Sequence, residues 1–245
     1  MTSPRALYVY AVVSQGVRLG QISGVEDAPV EVVVAAGLGL LVSEVDVTLL
    51  AEVNESGATR LGDLARRHDA VVREALSVTS SVLPFRLGTV VPGREAVERL
   101  LTERAEVLTP ALRHVETCWE WGVTVHSSEA ATQRSSAPAG GTGVAYLARR
   151  RQELSELEER RRRRAVAAAE VAAELRSHAV DAASGAPGSA LFAETYLVRR
   201  ESEGAFFEAI DRCGGRLDEL GLRLQPSGPW PPYSFVPRAC AGVGS

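Results

Sequence analysis

Residues 228–235 read Gly-Pro-Trp-Pro-Pro-Tyr-Ser-Phe, and no other stretch of the chain restricts its own backbone as tightly. Pro229, Pro231 and Pro232 remove three backbone donors and hold three φ angles near about −65°. Helix and central strand are thereby excluded for this segment. Trp230, Tyr233 and Phe235 nevertheless place three aromatic rings on it. A stiff, extended, ring-bearing segment loses little entropy on docking, so it is suited to packing on a surface. Two roles follow. The segment is either a strap that closes its own domain or an element that docks a partner through the exposed edges of the same rings, and the sequence leaves both open.

A chain of 245 residues is comfortable for two domains. Its 45% hydrophobic and 24% charged content is that of a soluble globular protein. The net charge of −4 argues against a general nucleic-acid binder. All 27 basic residues are Arg, which favours bidentate contacts to carboxylates. Residues 1–126 hold 11 Arg against 16 acids, whereas 127–245 hold 16 Arg against 15. Cys118, Cys213 and Cys240 are odd in number and far apart, with no CxxC pair, so a reduced, cytoplasmic chain is expected. Without a leader pattern or an apolar run of about 18 residues, neither secretion nor membrane spanning is expected.

In order, Leu7–Val13 is a buried strand, and Val30–Val34 with Leu38–Val45 is a hairpin turning near Gly37. Helical spacing of Leu61, Leu64, Ala65, His68, Val72, Ala75 and Leu76 predicts a helix over about 59–80. Val82–Val91 predicts a strand whose Pro84 marks an edge or bulge. A helix opens at Pro92–Glu95, and Thr109-Pro110 predicts a break and restart. Trp119–His126 alternates as a strand. The small, polar run 127–142 reads as a linker. Val144–Ala148 then reads as a strand, Arg150–Ala183 as the longest helix, Glu194–Arg199 as a strand, Glu203–Leu220 as a helix containing Gly214-Gly215, and Leu222–Leu224 as the start of a last strand. This order gives the second half a small sheet covered on one face by helices.

Residues with chemistry are sparse. His68 lies on the apolar face of its helix, where a packed, hydrogen-bonded histidine is the ordinary case. Arg86 is the single charge in an apolar run, so it either points to solvent or pairs with a buried carboxylate. His114, Cys118 and His126 are a weak metal set because they are scattered over two elements. Gly37-Leu38-Gly39 lacks the third glycine and the helix of a dinucleotide fingerprint, and the start near Arg94 lacks a glycine-rich cradle. Arg160–Arg164 could meet nucleic acid or an anionic membrane, but the preceding Glu153, Glu156, Glu158 and Glu159 offset its field, and a solvated helix face carrying Glu156–Arg160, Glu158–Arg162 and Glu159–Arg163 pairs is expected. No nucleophile–base pair and no cofactor motif is visible.

Several stretches together resemble one family. LYVYAVV at 7–13, the His68 helix with VLPFRLGTVV at 82–91, EWGVTVH at 120–126, GVAYLARR at 143–150, TYLVRR at 195–200 and GPWPPYSF at 228–235 are similar to the GvpF/GvpL family of gas vesicle proteins, in family order. The resemblance implies an α+β fold of two domains, the C-terminal one ferredoxin-like. The corresponding boundaries are an N-terminal domain at 1–126, the linker at 127–142, the C-terminal domain with its strap at 143–236 and a tail at 237–245. It also implies a non-enzymatic accessory or minor structural role in gas vesicle assembly, located at the gas vesicle and in the cytoplasm. The implied partners are the small hydrophobic (GvpA-like) shell protein, held back from aggregation, and other accessory proteins, with no cofactor, nucleic acid or membrane. For shell-protein contact the expected residues are Phe85, Arg86, Trp230, Tyr233 and Phe235. The alternative is a small-molecule-binding or enzymatic ferredoxin-like protein using His68 and Arg86.

Overall fold

The computed structural model describes residues 5–46, 58–128, 143–185, 188 and 190–240, so most of the expected linker and the end of the tail lie outside the described residues. The chain forms two compact units. One comprises Met1–Glu120 together with Pro229–Ser245, and the other is Trp121–Gly228. The strap therefore packs with the N-terminal residues, not with the C-terminal domain expected to contain it. Likewise Trp121–His126, read as the end of the first domain, belongs to the second unit. A strand can leave one core and enter another along its own length, which composition does not show.

The first unit is built around β1 (Arg5–Ser14), whose interior is buried along its whole length. The hairpin β2 (Glu31–Ala35) and β3 (Leu38–Asp46) pairs antiparallel along one side of β1, and Gly37 at its turn has φ +77°. On the other side lie β4 (Val82–Pro84) and β5 (Val90–Val91). The order is β2-β3-β1-β4, with β5 also on β1, so Pro84 does sit on an edge strand. The expected continuous strand over 82–91 is interrupted because β1 itself is irregular. Val9 pairs with Val42 and Ala11 with Leu41, leaving Tyr10 as an extra residue. Such a bulge shifts the alternation, so that Tyr8, Tyr10, Ala11 and Val13 all face one core. The Tyr10 carbonyl is thereby turned to accept from the Phe85 N–H at 2.8 Å, and residues 85–89 loop outward, closing with Thr89 N–H to Arg86 O.

Helix α1 (Ala58–Val78) lays Leu64, Val71, Val72, Ala75 and Leu76 on that core, while Leu61, expected on the same face, is exposed. Helix α2 (Arg94–His114) packs against β1, β2 and β3 through Val97, Leu100, Leu101, Leu108 and Leu112. It runs through Pro110 without the expected break. Burial of Leu108 and Leu112 on either side outweighs the hydrogen bond that the proline removes.

The second unit runs β6 (Cys118–Ser127), α3 (Gly143–Ser177), β7 (Asp181–Ser184), β8 (Phe192–Arg199), α4 (Glu203–Asp218) and β9 (Leu222–Trp230), with sheet order β7-β8-β6-β9. Val123 and Val125 of β6, Tyr196 and Val198 of β8, and Leu222 share a core with Val171 and Leu175 of α3 and with Phe206, Ala209, Ile210, Cys213 and Leu217 of α4. Val144–Ala148, expected as a strand, is helical: five apolar residues do not decide between the two, and the Arg/Glu/Leu-rich sequence that follows propagates the helix back through them. At its other end α3 stops at Ser177, because Asp181–Ser184 pairs antiparallel with Glu194–Leu197 and overrides the helix propensity of its alanines. Of the three expected ion pairs on α3, Glu159–Arg163 forms at 3.0 Å, while Glu156 accepts from Gln152.

Candidate functional site

An apolar groove of about 560 Å³ opens in the first unit. One wall is α1, contributing Ala65, His68 and Asp69. The floor and second wall are Pro84–Leu87, and the strap supplies Trp230, Tyr233, Val236, Arg238 and Cys240. Each wall has a local cause. The α1 residues recur at helical spacing on its inner face. Pro84–Leu87 leave the sheet where the Tyr10 bulge breaks pairing. The strap begins as the end of edge strand β9, and Pro231 and Pro232 stop it from pairing further, so it crosses the surface.

Beneath the groove lies an aromatic cluster. Tyr8 and Tyr10 rings stand 4.9 Å apart, and His68 packs at 5.8 Å and 5.6 Å from them. The Tyr8 hydroxyl accepts from Gly88 N–H and is hydrogen-bonded to His68 Nδ1, both at 3.1 Å. The other ring nitrogen, Nε2, is buried with no hydrogen-bond partner among the described residues. Burial depresses the His68 pKa to about 4, the neighbouring Asp69 opposing it, so the ring is neutral at pH 7. Burial also pushes the Tyr8 phenol up. Tyr10 Oη accepts from Val25 N–H at 2.7 Å and shares a proton with Ser43 Oγ at 2.6 Å. A Cβ on Gly24 would sit 2.1 Å from that hydroxyl, so only glycine fits there.

Two acidic residues fasten the strap. Asp69 receives Arg73 Nε at 2.5 Å and the Tyr233 hydroxyl at 3.3 Å. Burial, then Asp69, raises the Tyr233 pKa. Arg73 also donates to the Pro229 carbonyl at 3.1 Å and lies 5.1 Å over the Trp230 ring, a cation–π contact. Glu120, buried, accepts from the Ser234 N–H at 2.7 Å and the Ser234 hydroxyl at 2.8 Å. Its pKa is raised by burial against the lowering effect of those two bonds. At the far end Arg86 N–H donates to the Cys240 carbonyl at 3.2 Å. The Cys240 thiol is pushed up to about 12 by burial, which leaves it unreactive.

Of the five residues expected at a partner surface, Phe85, Arg86, Trp230 and Tyr233 line this one groove, and half-buried Phe235 does not. Phe85 is fully buried and shapes the floor, whereas Arg86 points to solvent at the rim. Trp230 stays 42% exposed although Arg73 holds both its ring and the carbonyl of Pro229 before it. His68, Tyr8 and Tyr233 meet here. His114 ends α2, Cys118 Sγ faces the Glu116 carbonyl, and His126 bonds Thr124, so the three are not brought together. Among the described residues no group of three or more His, Cys, Asp or Glu is placed to hold a metal.

Sequence reasoning missed Asp69, Arg73 and Glu120. The i,i+4 spacing of Asp69 and Arg73 on a predicted helix was a legible signal. Glu120 between Trp119 and Trp121 was another, being an acid in an otherwise apolar, alternating strand. Nothing local linked either to residues more than a hundred positions away.

The family described as Gas vesicle synthesis protein GvpL/GvpF matches residues 6–237. Gas vesicle protein L of Streptomyces sp. (strain CB03234) is 33% identical over 191 residues, covering 72% of this chain and 70% of that protein. Gas vesicle protein F of the same organism is 30% identical over 234 residues, covering 88% and 92%. The crystal structure of GvpF from Anabaena sp. PCC7120 shares the fold with a TM-score of 0.71 at 19% identity, over 95% of this chain and 98% of that one. This chain belongs to the GvpL/GvpF family of gas vesicle synthesis proteins.

Proposed function

We propose that this protein is a non-enzymatic assembly factor that works in the cytoplasm, at the growing gas vesicle, by binding the small hydrophobic shell protein and limiting its aggregation. Other gas vesicle accessory proteins are the expected further partners. In this reading the second unit, with its β-α-β-β-α-β order and both helices packed into one core, is a ferredoxin-like domain. The contact surface is the groove of Phe85, Arg86, Trp230 and Tyr233. The observation that carries it is Trp230, a large ring held open to solvent by Arg73 on the lip of an apolar groove. A ring fixed in this way adds apolar contact without further ordering cost, and a guard of an aggregation-prone subunit needs such a surface.

The test is capture of tagged shell protein by Trp230→Ala and by Arg86→Ala, with circular dichroism as the control for folding. Both variants should retain the wild-type spectrum and capture less shell protein. Undiminished capture by two folded variants would remove the groove from the contact surface.

A further inference from the structure

Helix α3 is far longer than the sheet it covers. Ala168, Val171, Ala172 and Leu175 are buried in the second unit, but residues 146–163 are all exposed, and partial cover begins only at Arg164. The buried stripe nevertheless continues outward. Stepping back from Leu175 by alternating four and three residues passes Val171, Ala168, Arg164, Arg161, Leu157, Leu154, Arg150 and Leu147. Leu147, Leu154 and Leu157 are 60%, 44% and 50% exposed. Three leucines in seam positions, on a helix with no neighbour there among the described residues, call for a second helix.

Charge identifies that helix. The residues flanking the stripe are Arg151 and Glu158 on one side and Glu153 and Arg160 on the other. Arg151, Glu158 and Arg160 make no ion pair with other described residues. We propose that two copies of this chain pair antiparallel through α3, Leu154 of each packing on Leu157 of the other. In an antiparallel pair like sides face each other. This register sets Arg151 against Glu158 of the second copy and Glu153 against its Arg160, each twice by symmetry.

Neighbouring arrangements fail the same test. Sliding the pair by one heptad sets Arg151 on Arg151 and Glu153 on Glu153 in one direction, and Glu158 on Glu158 and Arg160 on Arg160 in the other. A parallel pair sets Glu153 against Glu158. One layer of the favoured register opposes like charges, Arg150 against Arg161, and each of these has an acid on its own helix, Glu153 at 3.3 Å from Arg150 and Glu158 one turn before Arg161. The centre of the register, between Leu154 and Leu157, also falls at the middle of the exposed stretch. Leu147 therefore reaches Arg164 of the second copy, where each helix enters its own unit, and the overlap uses the projecting length in full.

Sedimentation of the full chain over a range of concentrations, at low and high salt, tests the pairing. A monomer–dimer equilibrium that weakens with salt is expected. Glu158→Arg should weaken it about tenfold, and adding Arg151→Glu to that variant should recover most of the loss, since both cross-pairs then return with reversed sign while Arg161 still lacks the acid one turn before it. For the register, Leu154→Cys and Leu157→Cys proteins should form a disulfide when mixed and not alone. A monomer at every concentration, a dimer indifferent to Glu158→Arg, a double variant that is not rescued, or a Leu154→Cys protein that crosslinks with itself would each overturn the proposal. Capture of an acidic helix or a nucleic acid by a monomeric chain would do the same.

Discussion

His68 makes the stability of the first unit sensitive to pH. Its folded pKa of about 4 lies below the ordinary value of 6.5 because burial penalises the charged ring, and its Nδ1 is already committed to Tyr8. The unfolded chain takes up a proton near pH 6.5 that the folded chain refuses until about pH 4. The stability this group contributes is therefore complete above pH 6.5 and is lost as the pH falls toward 4. The difference amounts to about 3 kcal/mol. Glu120 acts with the opposite sign, since its raised pKa makes folding more favourable as the carboxyl protonates. The two are separated by His68→Gln, which deletes the first and keeps the second. Denaturant unfolding from pH 7 to pH 4 should show the wild type losing about 3 kcal/mol relative to the variant. A difference that stays flat across this interval would show that His68 is not held neutral by its surroundings.

At the scale of the element, α4 holds the plainest conflict between propensity and structure. Gly214 and Gly215 sit in its interior, each expected to cost about 1 kcal/mol relative to alanine, and the helix passes through both from Glu203 to Asp218. Packing of Phe206, Ile210, Cys213 and Leu217 in the core outweighs that cost. A Cβ at either glycine meets nothing within 4 Å, and neither has a positive φ. Gly214→Ala and Gly215→Ala should therefore each raise stability by about 0.5–1 kcal/mol in urea unfolding. A loss in either would mean that the helix is not regular there. The same balance explains what was legible in the sequence. Strongly periodic or β-branched stretches such as Leu7–Val13, α1 and α4 could be read directly, because their burial pattern is local. Val144–Ala148, Asp181–Ser184 and Pro110 were misread because each is decided by what lies beyond it: a long helix, a partner strand, or the packing of Leu108 and Leu112 around the proline. Half of the groove was readable in the LPFR and GPWPPYSF segments. Its other half depends on a bulge at Tyr10, which only pairing with β3 reveals.

For the whole molecule, the consequential fact is that the first unit is discontinuous. Residues after Gly228 return to a core begun by β1, while Trp121–Gly228 forms a unit contiguous in sequence. The strap's anchors, Asp69, Arg73 and Glu120, all belong to the first unit, so that unit lacks a wall until the chain's last segment is in place. The second unit has no such dependence. Truncation after Gly228 leaves the buried Glu120 carboxylate without its two donors, a cost of about 1–3 kcal/mol, and uncovers His68 and Phe85. Hydrogen exchange should then speed up in α1, in residues 85–89 and in β1, with protection in β7, β8 and α4 unchanged. Loss of protection spread evenly over both units would mean that they unfold as one and that the strap belongs to the whole chain. If exchange is confined to the first unit, adding a Gly228–Cys240 peptide in trans should slow it again, and Trp230→Ala and Ser234→Ala versions of the peptide should do so less well. The Ser234→Ala peptide isolates the Glu120 anchor and the Trp230→Ala peptide the Arg73 contact. Their relative failure thus measures which of the two holds the groove closed on its C-terminal side.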